Sequence, residues 1–197
     1  DTFFDTFLFS PCADFAPAAE RITLKGWRFY IDSQFVADRN LDALNTAAGS
    51  VKEALGLTDY RVGVHIQLPF PHPSGEDFGG GMRTDTLENR VAVCRWFMEE
   101  AVRRFDERNY EHLRLCSFYQ GCESVPMAVS DEEEALFAAV NCEAHAMGLK
   151  ASWIPCYLGT GFARWKELGF DAAYMQPNHM FNKYDAAMLG EFSQSCT

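Results

Sequence analysis

The feature that most constrains this chain is a regular alternation between short apolar runs and longer segments whose apolar residues recur at helical spacing. Five runs are rich in apolar, β-branched or aromatic residues, as strands buried on both faces are. They are residues 3–9, 61–68, 113–119, 151–156 and 172–176. Strands that alternate with amphipathic helices are joined by right-handed crossovers, so this order predicts a parallel sheet covered by helices.

Four helices are predicted, one between each two consecutive strands, at 41–55, 87–105, 130–148 and 161–168. The segment 41–55 carries one apolar stripe and is followed by Gly56, a residue favoured just after a helix end. The segment 130–148 opens with Ser130 and three acidic residues, a pattern typical of a capping box at the positive end of a helix. The chain is therefore predicted to have an α/β fold.

Two observations favour a (β/α)8 TIM-like barrel over a doubly wound sheet. No Gly-x-Gly-x-x-Gly or Walker-type phosphate loop follows a predicted strand, and polar residues recur where the strands end. Five strands and 197 residues fall short of the eight strands and roughly 250 residues of that barrel. We therefore expect an incomplete barrel, residues 1–197 forming a single domain that is part of a longer protein.

The charge of the chain argues against several classes of partner. Seventeen basic residues against twenty-eight acidic ones give a net charge of −11, which repels nucleic-acid phosphates and anionic lipid surfaces. Apolar runs of about eighteen residues, the length needed to cross a bilayer, do not occur. We therefore expect that the chain does not bind nucleic acid or insert into a membrane. The sequence contains no cofactor motif, and it does not indicate an oligomeric state.

The strongest candidate for chemistry follows the third predicted strand. That strand runs into Tyr119 and Gln120, and Glu123 comes three residues later. A barrel places its catalytic acids just past the strand ends, where partial desolvation lets a carboxyl group hold a proton and deliver it to a leaving oxygen. We predict that Glu123 is a general acid/base; the alternative is that it caps the next segment or pairs with an arginine.

Other polar and aromatic residues at strand ends are candidates for substrate binding. Amide and imidazole groups bind hydroxyl groups, and aromatic faces stack on sugar rings. The candidates are His65, Gln67, Tyr119, Gln120, Trp153, Tyr157, Gln176 and Asn178. Trp153 has an alternative interpretation as a core aromatic. His65 has no partner at a usual metal-ligand spacing, so no metal site is predicted.

Several short motifs, in order along nearly the whole chain, resemble domain-of-unknown-function family 4855. They are Phe4-Asp-Thr-Phe-Leu-Phe9, Pro69-Phe-Pro71, Phe118-Tyr119 with Glu123, Trp153-Ile-Pro-Cys-Tyr157, Trp165 to Asp171 and Gln176-Pro-Asn178. The resemblance implies a bacterial, exported protein with a glycosidase-like barrel. Gln120, Cys122 and Cys156 depart from the family pattern, which affects the expected substrate contacts.

The leading hypothesis for function is a glycoside hydrolase acting on a carbohydrate through Glu123. Many retaining sugar-hydrolysing barrels resemble one another in placing the acid after strand four and the nucleophile after strand seven. If one strand precedes Asp1, Glu123 follows strand four and the second carboxylate lies beyond Thr197. Two alternatives stay open, a non-catalytic carbohydrate-binding barrel and a small α/β interaction domain without a small-molecule site.

Overall fold

The computed structural model describes residues 4–11, 20–73, 77–177, 190, 191, 193 and 194. Its strands are β1 (Thr6–Phe9), β2 (Val62–Leu68), β3 (Leu113–Gln120), β4 (Lys150–Trp153) and β5 (Ala172–Ala173). Its helices are α1 (Leu24–Gln34), α2 (Leu41–Leu55), α3 (Leu87–Arg108) and α4 (Glu133–Ala146), with a 3-10 helix at Phe162–Arg164.

The five strands form one parallel sheet in the order β1-β2-β3-β4-β5. A doubly wound sheet reverses its strand order at a switch point, whereas the strands of a (β/α)8 barrel follow one another in chain order. The prediction of an α/β fold with five parallel strands and intervening helices is therefore confirmed. The arrangement is that of consecutive strands in an incomplete barrel.

The helices pack on one face of the sheet. Alternate residues of β2, from Val62 to Leu68, are buried in a core that includes Trp27 and Tyr30 of α1 and Phe97 of α3. A second cluster joins α4 to β4 and to the segment before β5 through Phe137, Trp153 and Phe170. Successive side chains of a strand point to opposite faces, so the positions between these apolar residues define a second face, which the four described helices leave uncovered. We call this second face the open face.

The open face consists of polar and apolar side chains from neighbouring strands. Register pairs Thr6 with Gly63 and Leu8 with His65 between β1 and β2. Between β2 and β3, His65 pairs with Ser117 and Gln67 with Tyr119, after an irregularity between Val64 and His65. Tyr119 pairs in turn with Ser152 of β4. The members of the open face that later concern us are Thr6, Leu8, His65, Gln67, Ser117, Tyr119 and Ser152.

Two predicted elements differ from the structure. Helix α1 was not predicted, although its buried Trp27, Tyr30 and Ile31 have helical spacing. The fourth predicted helix, 161–168, is only a 3-10 helix followed by turns, flanked by Gly161 and Gly169 at φ 84° and 83°. So short a segment gains few backbone hydrogen bonds against the cost of nucleating a helix.

The predicted capping box at Ser130 is also wrong. Helix α4 begins at Glu133, and its N-cap residue Glu132 makes no side-chain capping hydrogen bond. The Ser130 hydroxyl accepts a hydrogen bond from the backbone N–H of Glu132 instead, one turn before the helix. Glu133, the last acidic residue of this group, is fully buried and forms an ion pair with Arg90.

Candidate functional site

A pocket of about 370 Å³ lies on the open face of the sheet. This volume is within the range of pockets that hold small organic ligands. Its lining residues are Asp5, Thr6, Leu8, His65, Tyr119, Ser152, Ile154 and Tyr174. The pocket therefore brings together two of the predicted binding residues, His65 and Tyr119, with a carboxylate, two hydroxyl side chains and an exposed tyrosine. We call it the open-face pocket.

His65 is held on one side by two buried serines. Its Nδ1 atom lies 2.5 Å from the hydroxyl of Ser117 and 3.3 Å from that of Ser152. The two hydroxyls are 2.9 Å apart, and Ser152 is 3.4 Å from the carbonyl oxygen of Phe118, to which it donates. Burial lowers the pKa of His65, so its neutral form is favoured at neutral pH.

Gln67 lies at the carboxyl end of β2 and is fixed by its neighbours. Its Oε1 atom accepts a hydrogen bond of 2.6 Å from the hydroxyl of Ser10, which follows β1. A Cβ atom at position 121 would come within 2.3 Å of the Gln67 Nε2 atom, so the amide packs directly on the backbone of Gly121. Gln67 therefore links the residues that follow β1 and β3 at the same edge of the sheet.

Glu123 is at this edge too, three residues beyond β3, and its side chain is exposed. Its backbone carbonyl accepts a hydrogen bond of 2.8 Å from the N–H of Cys156, in the loop after β4. Burial and, to a smaller extent, the charge of Glu123 raise the pKa of Tyr119 to about 12. The charge of this carboxylate thus acts on the phenol that lines the pocket, and the Glu123 side chain is exposed where partial burial was expected.

Two of the predicted binding residues, Gln120 and Trp153, lie on the helix-covered face of the sheet, away from the open-face pocket. Gln120 pairs with Leu68 and with Trp153, positions whose neighbours in register belong to the helix-covered face. The Trp153 ring is inaccessible, stacks on Phe170 at 5.0 Å, and donates its N–H to the carbonyl of Cys122. Strand alternation places both side chains among the helices, so neither reaches the pocket, and Trp153 serves as a core aromatic.

The remaining predicted residues tie together the loops after β4 and β5. Gln176 donates its backbone N–H to Pro155 and its side-chain Nε2 to the carbonyl of Ile154, 3.2 Å away. Tyr157 donates its backbone N–H to the carbonyl of Gln176, and its ring meets Phe162 edge-on. Both residues are therefore at the same edge as Glu123. Asn178 lies outside the described residues.

A buried ion pair under this edge was not predicted. Arg90 of α3 and Glu133 of α4 join at 2.9 Å, and their side chains are only 1% and 0% exposed. Arg90 also donates to the carbonyl of Pro71, 2.7 Å away, in the loop after β2, and lies over the ring of Phe70. The pair thus connects the loop after β2 to the start of α4. Helix α4 follows the segment between β3 and α4 that contains Glu123.

Sequence reasoning also missed the serines of the pocket, because a single serine in an apolar strand carries no pattern. Nothing in the chain order signals that Ser117 and Ser152 meet His65 across 52 and 87 residues.

Within the described ranges, no group of three or more His, Cys, Asp or Glu side chains is arranged to hold a metal ion. No helix of the described part has the length and apolarity to cross a membrane.

Fold and site together define an α/β protein of the parallel (β/α) type with a pocket on the open face of its sheet. The family model described as "Domain of unknown function (DUF4855)" matches residues 1–189, and the chain belongs to this family. The predicted family resemblance is confirmed by this match. No curated protein and no solved structure matches the chain.

Proposed function

We propose that this chain is the glycosidase-like part of a carbohydrate-processing barrel, in which the open-face pocket receives a sugar ring and Glu123 is the general acid/base. One observation carries the proposal. The exposed carboxylate of Glu123 lies at the carboxyl end of β3, near enough to Tyr119 for its charge to help raise the pKa of that phenol, which lines the pocket. Parallel α/β folds keep their sites at this end of the strands.

The residues around the pocket suit a neutral, hydroxyl-rich ligand. His65, Tyr119 and Ser152 offer donors and acceptors for hydroxyl groups, while Tyr174, 58% exposed, offers an aromatic face. The net charge of −11 disfavours an anionic ligand at long range. Neutral glycans are therefore the proposed substrate class.

Glycoside hydrolysis also requires a second carboxylate, about 5 Å from the acid in retaining enzymes and about 6.5–9.5 Å in inverting ones. Among the described residues that line the pocket, the carboxylate is Asp5, which precedes β1 and so belongs to the amino end of the strands. Glu123 belongs to the carboxyl end. The proposal therefore assigns the second carboxylate to a part of the barrel outside these five strands.

The test is hydrolysis of a panel of neutral polysaccharides by the longest natural form of the protein, followed as release of reducing ends. Glu123→Gln keeps the size of the side chain and removes its acid function, so we expect activity to fall by about 100-fold or more. Glu53→Gln is the matched control, because Glu53 is exposed near the end of α2, which leads to the amino edge of the sheet. Equal loss in both variants, or no loss in Glu123→Gln, would overturn the role of Glu123.

A second function, non-catalytic carbohydrate binding, is favoured by the exposure of Glu123. Catalytic sites exclude water from the reacting groups, whereas the side chain of Glu123 is open to solvent. This function predicts glycan binding by both the wild type and Glu123→Gln, with no reducing ends released by either. A chain that neither binds nor hydrolyses any glycan of the panel would leave the α/β interaction domain as the better account.

A further inference from the structure

The side chain of Glu123 is exposed, but the backbone on both sides of its Cα atom is fixed. The carbonyl of Cys122 accepts a hydrogen bond of 2.5 Å from the indole N–H of Trp153. The carbonyl of Glu123 itself accepts one of 2.8 Å from the backbone N–H of Cys156. Both donors belong to the segment that leads from the end of β4 into the following loop. This segment therefore holds two consecutive peptide groups of the Glu123 backbone.

These two peptide groups determine the direction in which the Glu123 side chain leaves the backbone. A peptide group is planar, so only the dihedral angles φ and ψ of Glu123 lie between the two groups. The Cys122 carbonyl belongs to the group before the Glu123 Cα atom, and the Glu123 carbonyl belongs to the group after it. Because both groups are held, the direction of the Cα–Cβ bond is set. The carboxylate keeps only the freedom of its side-chain rotamers.

Of the two contacts, the one made by Trp153 depends on a side chain. The Cys156 contact uses a backbone N–H, which every residue except proline supplies. The indole of Trp153 is inaccessible to solvent, stacks on Phe170 at 5.0 Å and meets Phe137 edge-on at 6.0 Å. Close packing of this kind keeps a side chain in one rotamer. The indole N–H therefore points in one direction, towards the Cys122 carbonyl.

We propose that Trp153 is a positioning residue for Glu123, because its indole N–H holds the Cys122 carbonyl and thereby sets the direction of the carboxylate. The inference rests on the proposed function only for the catalytic use of that carboxylate. A phenylalanine would also fill the core at this position, whereas the indole adds a hydrogen-bond donor. Burial and, next, the charge of Glu123 raise the pKa of Tyr119, which lines the pocket, and this supports a carboxylate held towards the pocket.

The first test measures how strongly Glu123 acts on Tyr119 with and without the indole N–H. Trp153→Phe removes the donor and keeps an aromatic ring in the core. The readout is the pKa of Tyr119, followed through the NMR signals of its ring in the wild type, in each single variant and in the double variant. We expect Glu123→Gln to lower this pKa when Trp153 is present. With Trp153→Phe it should lower the pKa by less, because a released carboxylate spreads over more orientations.

Trp27→Phe is the matched control for the loss of an indole N–H. Trp27 is also inaccessible and donates its indole N–H to a backbone carbonyl, that of Arg21, 3.0 Å away, but it belongs to α1. In this background Glu123→Gln should change the pKa of Tyr119 as much as in the wild type. An equal or larger change with Trp153→Phe would overturn the proposal. So would the absence of any change when Trp153 is present.

A second variant separates the loss of the N–H group from a loss of stability. Replacement of Trp153 by benzothienylalanine, whose ring has sulfur in place of the indole N–H, keeps the shape of the side chain and removes the donor. We expect this replacement to weaken the effect of Glu123→Gln on the pKa of Tyr119, as Trp153→Phe does. A full wild-type effect would overturn the proposal, even if Trp153→Phe fails to fold.

The second test uses glycan hydrolysis and separates this inference from the proposed function. Trp153 does not line the pocket, so Trp153→Phe should lower kcat by about tenfold or more and leave KM within about twofold of the wild type. A raised KM with unchanged kcat would assign Trp153 to ligand binding and overturn the proposal.

Hydrolysis that depends on Glu123 but is unaffected by Trp153→Phe would defeat this inference and leave the proposed function standing. The opposite result is also distinguishable. If no variant hydrolyses any glycan while the pKa of Tyr119 changes as expected, the catalytic use of Glu123 fails and its positioning by Trp153 stands.

Discussion

Arg90 and Glu133 form a fully buried ion pair, with 2.9 Å between Nη2 and Oε2, between the helices that precede and follow β3. Removal of one partner from such a pair leaves an uncompensated charge in the interior. We expect Glu133→Ala to lower the free energy of unfolding by about 3–5 kcal/mol, as measured by urea denaturation.

Arg103→Met is the control for this prediction. Arg103 pairs with Glu100 and Glu107 on the surface of α3, with about half of its side chain exposed. Exposed pairs contribute about 1 kcal/mol or less, so this variant should stay near the wild type. The double variant Arg90→Met with Glu133→Leu should recover most of the lost stability. Equal effects of the buried and surface substitutions would contradict the structural role of the pair.

The electrostatic effect of Glu123 on Tyr119 can be measured without a substrate. Burial is the main cause that raises the pKa of Tyr119 to about 12, and the negative charge of Glu123 adds to it. Glu123→Gln removes the second cause, so we expect the pKa of Tyr119 to fall part of the way towards its usual value of 10. A pH titration followed through the NMR signals of the Tyr119 ring measures this pKa. The pKa of Tyr119 should be unchanged in the control variant Glu53→Gln. An unchanged pKa in Glu123→Gln would mean that the charge of Glu123 does not act on the Tyr119 phenol.

Gly121 is predicted to be required for the placement of Gln67. A Cβ atom at this position would lie 2.3 Å from Gln67 Nε2, and the amide is the flexible end of its side chain. We expect Gly121→Ala to displace the amide and break its hydrogen bond to Ser10, with a stability change below about 1 kcal/mol. The side-chain amide resonances of Gln67 report the displacement. Gly190→Ala, at a position where no atom of the described residues lies within 4 Å of the added Cβ, should leave them unmoved.

Asp171 gives the protein a specific response to acid. Burial would raise its pKa, but hydrogen bonds from the Ala151 N–H and from His145, with nearby positive charge, hold the pKa of Asp171 below its usual 3.8. A depressed carboxyl pKa stabilises the fold above the unfolded value, and this contribution disappears as the pH falls through the folded value.

The measurement is the free energy of unfolding of the wild type and of Asp171→Asn as a function of pH. We expect the wild type to be the more stable at about pH 6, and the difference to shrink as the pH falls below 3.8. Asp59→Asn, at an exposed position before β2, is the control. A difference that is constant from about pH 6 to pH 2 would mean that the carboxylate of Asp171 is not held in its charged form.

Trp153 and Tyr174 should behave in opposite ways. Trp153 is inaccessible in the core, so Trp153→Ala should lower the free energy of unfolding by about 3–5 kcal/mol. Tyr174 is 58% exposed at the pocket, so Tyr174→Ala should change stability by less than about 1 kcal/mol and weaken glycan binding instead. Urea denaturation and isothermal titration separate the two effects. A Trp153→Ala variant that is as stable as the wild type but no longer binds glycan would mean that Trp153 contacts the ligand and is not a core residue.

The parts of the fold that could be predicted are those whose signal is local. The stripe of α2 appears in the structure as Leu41–Leu55, and all five strands are present, though several are shorter than predicted. The sequence does not predict helix α1, although Trp27, Tyr30 and Ile31 have helical spacing, because Gly26 weakens the local helical signal. Gly26 is required where it is, since a Cβ atom there would lie 2.1 Å from the carbonyl oxygen of Glu20.

The site was less predictable because its contacts join residues far apart in the chain. Strand ends correctly suggested the edge on which Gln67, Glu123 and Gln176 lie. Strand alternation alone does not say which face the helices cover, so the sequence alone leaves Trp153 a candidate for stacking on sugar. Glu133 illustrates the same limit, because its local pattern indicates a helix cap while its partner Arg90 is 43 residues away.

The most direct measurement of the central claim is a crystal structure of the Glu123→Gln variant with a bound neutral oligosaccharide. The account predicts a sugar ring in the open-face pocket beside His65, Tyr119 and Tyr174, with a glycosidic oxygen about 3 Å from the side chain of residue 123. An oligosaccharide bound on the helix-covered side, or at the amino edge of the sheet, would contradict it.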